Sequence, residues 1–264
     1  MIPRRISGLL GLACLLAACG GQEKAAPGKP AYQVSGNEGR IVGTIAFAGQ
    51  PPAPRTVSMN ADPVCNAQGA YTTEEVVAQN GKLQNVFVYV KSGLPSDVAF
   101  PPAQAETTLQ QKGCRYVPHV LGLHTGATLS ISSTDDTTHN VHPKPEKNRE
   151  WDSNILPGAD PFKRQFKQVE VMIPVKCGVH VWMSAYVGVL DHPFFAVTDA
   201  NGSFALTGLP PGDYEIETWH ELYQTQTLKV KVAAQGEANA DFTYNAATAY
   251  QPGKLVAQPA VVVP

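Results

Sequence analysis

Cys177, His180 and Met183 follow one another at the spacing C-x2-H-x2-M, and His139-Asn140-Val141-His142 supplies two more imidazoles upstream. A soft thiolate, two imidazoles and a distant thioether suit a metal that cycles between two oxidation states with little rearrangement of its ligands. Trigonal His2Cys sites with a weak axial Met hold copper in this way. Zinc also takes Cys and His ligands, but only three firm donors converge here and the fourth is a thioether, which favours copper. Residues three apart on a strand point to opposite faces, so His139 and His142 do not both face the ion.

The elements that must position these donors are strands. Val169, Val171, Ile173, Val175 and Cys177 alternate with Gln168, Glu170, Met172, Pro174 and Lys176, which places Cys177 at the end of an inward apolar row. The same period of two runs through Ala127, Leu129 and Ile131 and through Leu228, Val230 and Val232. Val86–Val90 and Ile41–Phe47 are further strand candidates. Gly and Pro, 23 and 22 of 264 residues, imply many turns and exclude a helix bundle. No long 3.6-residue period occurs. Thr72-Thr73-Glu74-Glu75 has the form of a capping box for one short helix. The fold class expected is all-β.

Residues 1–18 carry Arg4 and Arg5 and then an apolar run too short to cross a bilayer, the pattern of an export signal. The run ends Leu16-Ala17-Ala18-Cys19-Gly20, which resembles a bacterial lipobox. That resemblance implies a lipidated Cys19, cleavage before it, and attachment to the periplasmic side of a bacterial membrane, the outer one because Gly20 is not aspartate. Residues 19–38 read as a flexible tether, and 245–264 as a loose Ala-, Pro- and Gln-rich tail. Of the five cysteines, Cys14 leaves with the signal and Cys19 takes lipid, so three remain. An oxidising compartment closes one pair. Cys177 alone has a histidine and a methionine close behind it, so the expected disulfide joins Cys65 to Cys114 and Cys177 stays free.

The H-N-V-H segment with its C-x2-H-x2-M loop resembles the cupredoxins, the blue-copper proteins, over residues 83–192. The resemblance implies a Greek-key β-sandwich or barrel around one mononuclear copper, with His139, Cys177, His180 and Met183 as ligands, and H-N-V selects His139 over His142. It also implies that Asn140 ties the ligand strand to the cysteine loop, and that electrons pass through an exposed edge of His180 to a periplasmic redox protein or enzyme. Trp182 inside the loop and the long segment Pro143–Arg164 depart from the pattern. From Phe194, the turns Asn201-Gly202 and Leu209-Pro210-Pro211-Gly212-Asp213-Tyr214 resemble the carboxypeptidase regulatory-like, transthyretin-like β-sandwich, here over 193–244. Gly39–Pro54 resembles that module's first strand, so residues 39–82 join it, and the copper unit is either inserted within it or packed beside it.

Charged residues make up 16% of the chain and the net charge is −2, with no basic run beyond the N-terminus, which excludes a nucleic-acid surface. No G-x-S-x-G elbow, Walker loop, HExxH or Cys-x-x-Cys pair occurs. One copper without a second metal cluster points to electron transfer rather than turnover, so an enzyme is not expected. A copper-delivery protein without a redox partner and a structural or glycan-binding envelope lipoprotein are the alternatives. His119, His124, His192 and His220 read as ordinary hydrogen-bonded histidines, Asp135-Asp136 as solvated turn formers, and Trp219-His220-Glu221 as a packed indole beside a surface imidazole.

Overall fold

A computed structural model describes residues 28–248. The fold is all-β. The expected signal segment, Cys19 with its expected lipid, and the residues beyond 248 lie outside the described residues.

Two sheets form the first sandwich. Strand Gly39–Ala48 runs antiparallel to Ser203–Leu209 and parallel to Glu237–Asn239 and Phe242–Asn245. Facing it, Phe195–Val197, Phe87–Ser92, Gly212–His220 and Tyr223–Val232 make a four-stranded sheet. Ile41, Ile45, Leu83, Val86, Val88, Phe204, Leu206, Ile216 and Tyr214 fill the space between. Each such aliphatic side chain contributes roughly 1.5–3 kcal/mol by leaving water. The chain leaves this sandwich after Ser92 and returns at Phe195, so the intervening strands are an insertion within it.

The inserted unit has its own two sheets. One orders Phe162–Gln165, Thr128–Ser133, Glu106–Gln111 and Tyr116–Val117; the other orders Ser153–Ile155, His139–Pro143, Glu170–Lys176, Ser184–Leu190 and Val120–His124. Their core is Leu109, Leu121, Leu123, Leu129, Ile131, Val141, Ile173, Val175, Val187 and Val189, and it ends on Cys177 and Met183. The inward row expected to start at Val169 starts at Ile173 instead. The pairing with Ser184–Leu190 shifts register between Glu170 and Ile173, where Met172 takes a φ of 63°. That bulge turns Val169 out to solvent and buries Glu170 and Met172. Downstream the alternation holds, so Cys177 still ends the row.

Strand Phe87–Ser92 is apolar on both faces because it lies between the two units. Val88 and Val90 enter the first core, whereas Phe87 and Tyr89 pack with Val120, Met172 and Leu190 of the insertion. Gly122 and Gly188 are register partners. A Cβ at Gly122 would meet the Phe195 ring at 2.2 Å, and one at Gly188 the Phe87 ring at 2.6 Å. The paired glycines form the slot that receives both rings.

A small cap completes the insertion. Thr56–Val57 pairs with Tyr71–Thr72, and the one-turn helix α1, Pro63–Ala67, lies between them. The expected helix at Thr72 is absent: Thr72 is in the ribbon, and the cap is made by Asp62, which accepts from the amides of Val64 and Cys65 with Pro63 following it.

Candidate metal centre

Three expected donors converge. His139 begins its strand, Cys177 follows the end of Glu170–Lys176, and His180 sits in the turn that leads into Ser184–Leu190. One donor atom from each lies within 4.8 Å of the others, and all three residues are buried. His139 Nδ1 is 2.9 Å from His180 Nδ1, and His180 Nδ1 is 3.9 Å from Cys177 Sγ. The loop is drawn tight by its backbone: the Met183 amide donates to the His180 carbonyl and the Cys177 amide to the Met183 carbonyl. Met183 is buried in the same cluster as Cys177. His142 points away to the surface, where it contacts Glu150 and Asp152.

Two amides, those of Asn140 and His180, donate to Cys177 Sγ at 3.3 Å each and fix the sulfur in place. Asn140 joins the two segments as expected. Its Oδ1 accepts from the Gly178 amide at 3.0 Å, while its Nδ2 donates to Asp152 and Asn154. Tyr116 Oη donates to the carbonyls of Asn140 and Lys176, which fixes both backbones from below.

The far edges of both imidazoles are held by carboxylates that the sequence did not disclose. His139 Nε2 contacts Asp135 Oδ2 at 2.8 Å, and His180 Nε2 contacts Asp62 Oδ2 at 3.2 Å. Asp135 is therefore no solvated turn former: it is buried and also accepts from the amides of Gly113 and Cys114. Asp62 accepts from the Thr137 hydroxyl, which first of all, with the Cys65 amide, His180 and the Val64 amide, brings its carboxyl down to about 2 against the opposing effect of burial. Burial, opposed by Asp135, keeps the His139 imidazole below its ordinary value.

These bonds test whether the residues fit a metal. With the Nε2 edge of each ring turned to a carboxylate, Nδ1 is the ring position left to face a shared ion. The two Nδ1 atoms lie 2.9 Å apart beside a sulfur that already accepts two amides. A cation shared by the three donors satisfies that arrangement, and the carboxylate–imidazole pairing is the outer support metal-binding histidines have. A soft thiolate, two imidazoles and a neighbouring thioether fit copper.

His180 is the principal departure from expectation. Its ring is 1% exposed, so no exposed edge exists. The cap covers it: the disulfide Cys65–Cys114 pins α1 to the insertion, and Cys65 Sγ lies 3.6 Å from His180 Nε2. Cys177 is free, as expected. Trp182 closes the side, its Nε1 donating to the Cys114 carbonyl and its ring centroid 5.0 Å from that of His180. Val181, in contrast, is 85% exposed at the loop tip.

The remaining histidines are structural, with one of note. His119 Nδ1 contacts the Ser184 carbonyl, one residue beyond Met183, and its Nε2 contacts Glu221 of the first sandwich at 2.5 Å. Trp219 packs on Tyr186 of the insertion, while His220, expected at the surface, is buried against Tyr223 and Tyr244.

The carboxypeptidase regulatory-like domain matches residues 180–245. No curated protein matches the chain. Among solved structures it is similar to a purple cupredoxin from Nitrosopumilus maritimus, at 19% identity and TM-score 0.27, covering 31% of this chain and 97% of that one. It is also similar to amicyanin from Paracoccus versutus, at 15% identity and TM-score 0.29, covering 39% and 96%. A copper-containing nitrite reductase from Thermus scotoductus aligns at 15% identity and TM-score 0.30, covering 55% of this chain and 28% of that one. At these TM-scores the likeness is partial; what the chain can hold is decided by its own side chains.

Proposed function

We propose that this chain is a copper protein that passes single electrons between redox partners, with His139, Cys177 and His180 as principal ligands and Met183 as the weak fourth. The observation that carries this is the meeting of a ring nitrogen from each of His139 and His180 with the Cys177 sulfur within 4.8 Å of one another, all three residues buried. Copper, when bound, supplies a one-electron couple. The chain's residues do the rest: Asp62 and Asp135 hold the imidazoles in one tautomer and orientation, and the amides of Asn140 and His180 hold the sulfur. The apolar wall around Cys177 and Met183 excludes water. Donors fixed in this way move little when charge changes, which keeps electron exchange fast. The Leu16–Cys19 segment supports a lipid tether on the periplasmic side of a bacterial membrane, with a periplasmic redox protein or enzyme as partner.

The test is the visible spectrum of the full chain with Cu(II). An intense thiolate-to-copper band that bleaches reversibly on reduction and is lost in Cys177→Ser is expected. A copper-loaded protein without colour overturns the proposal.

The covered His180 favours a second reading, a copper-holding protein that delivers its ion. Slow electron exchange with a small redox complex, together with transfer of Cu(I) to an acceptor, selects that reading. Fast exchange with retention of the metal selects the first.

A further inference from the structure

A second set of sulfurs lies on the opposite side of the same imidazoles. Met59, Cys65 and Cys114 are each at most 3% exposed and pack together under Val57, Tyr71 and Trp182. The donors of Asp62, Cys65 and His180 lie within 4.8 Å of one another, and so do those of Cys114, Asp135 and His139. Cys65 Sγ therefore sits against the Nε2 edge of His180 and Cys114 lies beside His139 and Asp135, whereas Cys177 Sγ approaches His180 from its Nδ1 side. A mere staple needs two cysteines. This one is buried with a thioether and two carboxylates around it.

We propose that the reduced Cys65–Cys114 pair is a second soft-metal site, which takes Cu(I) through the two thiolates with the Met59 thioether as third donor. Soft thiolate and thioether donors suit Cu(I). A newly made chain carries both cysteines as thiols before an oxidising compartment closes them. A closed chain returns to that state when an external dithiol forms its own S–S bond, giving two electrons and two protons to the Cys65–Cys114 bond as it breaks. On binding, each thiol passes its proton to water as a Cu–S bond forms, and the metal stays Cu(I). Access follows from the cap's slightness: α1 is one turn, largely exposed apart from Cys65, and without the disulfide the cap is held by Asp62 on Thr137 and His180, by the Tyr71 hydroxyl donating to the Trp182 carbonyl, and by a two-residue ribbon. Such elements open locally at low cost.

The site is independent of the redox role of the first one, and the experiment separates them. Cu(I) is titrated into the full-length Cys177→Ser chain against a chromogenic Cu(I) chelator under nitrogen, before and after treatment with a water-soluble phosphine. The phosphine takes the oxygen of a water, whose hydrogens go to the two sulfurs, and is then removed. The treated chain is expected to hold one more Cu(I) than the untreated chain, and that gain is lost when Cys65→Ser and Cys114→Ser are added. No gain on treatment overturns the proposal, as does a gain that survives replacement of both cysteines. The first comparison needs no change at the disulfide, so a misfolded multiple variant does not blunt the test. Failure of the blue-copper reading shows instead as a colourless Cu(II) wild type, whatever the phosphine result.

Discussion

Asp62 and Asp135 decide how His180 and His139 present their Nδ1 atoms, although neither is itself expected to touch the metal. Loss of such an outer partner typically costs about 10–100-fold in metal affinity. Asp62→Ala is expected to raise the Kd for copper within that range while leaving the thiolate-to-copper band in place, as read by chelator competition and absorption. An unchanged Kd would show that the contact of Asp62 with His180 is idle. The convergence of Cys177 and His180 was legible from residue type and spacing, and that of His139 from the resemblance of its H-N-V segment. The two carboxylates were not, because Asp62 and Asp135 reach the site from a cap and a turn that no local pattern ties to the histidines. The burial of His180 was hidden for the same reason: its cover, pinned by Cys65 and Cys114, comes from far upstream.

At the scale of elements, the strand that delivers Cys177 stands on Ile173 and Val175, both fully buried between the inserted sheets. Ile173→Ala removes packing that the surroundings cannot refill, and is expected to cost about 2–5 kcal/mol in denaturant unfolding. A loss below about 1 kcal/mol would show that the row does not support the loop. Period-two alternation disclosed this strand but not its bulge, since Met172 at positive φ leaves no mark in a hydrophobic pattern. Strand Phe87–Ser92 was likewise visible as an apolar run, whereas its place between two units depends on which partners it meets. The cap helix at Pro63 was readable in retrospect from Asp-Pro followed by an apolar residue. Thr72-Thr73-Glu74-Glu75 has the form of a capping box, but Thr72 pairs in a ribbon and no helix follows.

Across the whole molecule, the two units are joined by Phe87 and Phe195 seated over Gly122 and Gly188 and by Glu221 bound to His119. A methyl group at Gly122 has no room, and Gly122→Ala is expected to cost about 1–3 kcal/mol, measured as a fall in the unfolding midpoint; an unchanged midpoint would show that the interface is loose. Burial pushes His220 down to about 3, with His119 adding to the effect, and burial pushes His192 down to about 4. Both fold as neutral rings, so the unfolded chain binds more protons below about pH 6.5, the ordinary imidazole value. Stability is therefore full above that pH and is lost as pH falls toward 4 and 3, and His220→Phe flattens the acid side of the profile. An unaltered acid slope in that variant would place the loss elsewhere. The claim on which the account stands is best tested by X-ray absorption at the copper edge of the loaded full-length protein, in both oxidation states. One short sulfur shell with two imidazole nitrogens, nearly unchanged on reduction, is the predicted result; a shell of nitrogen and oxygen alone would contradict it.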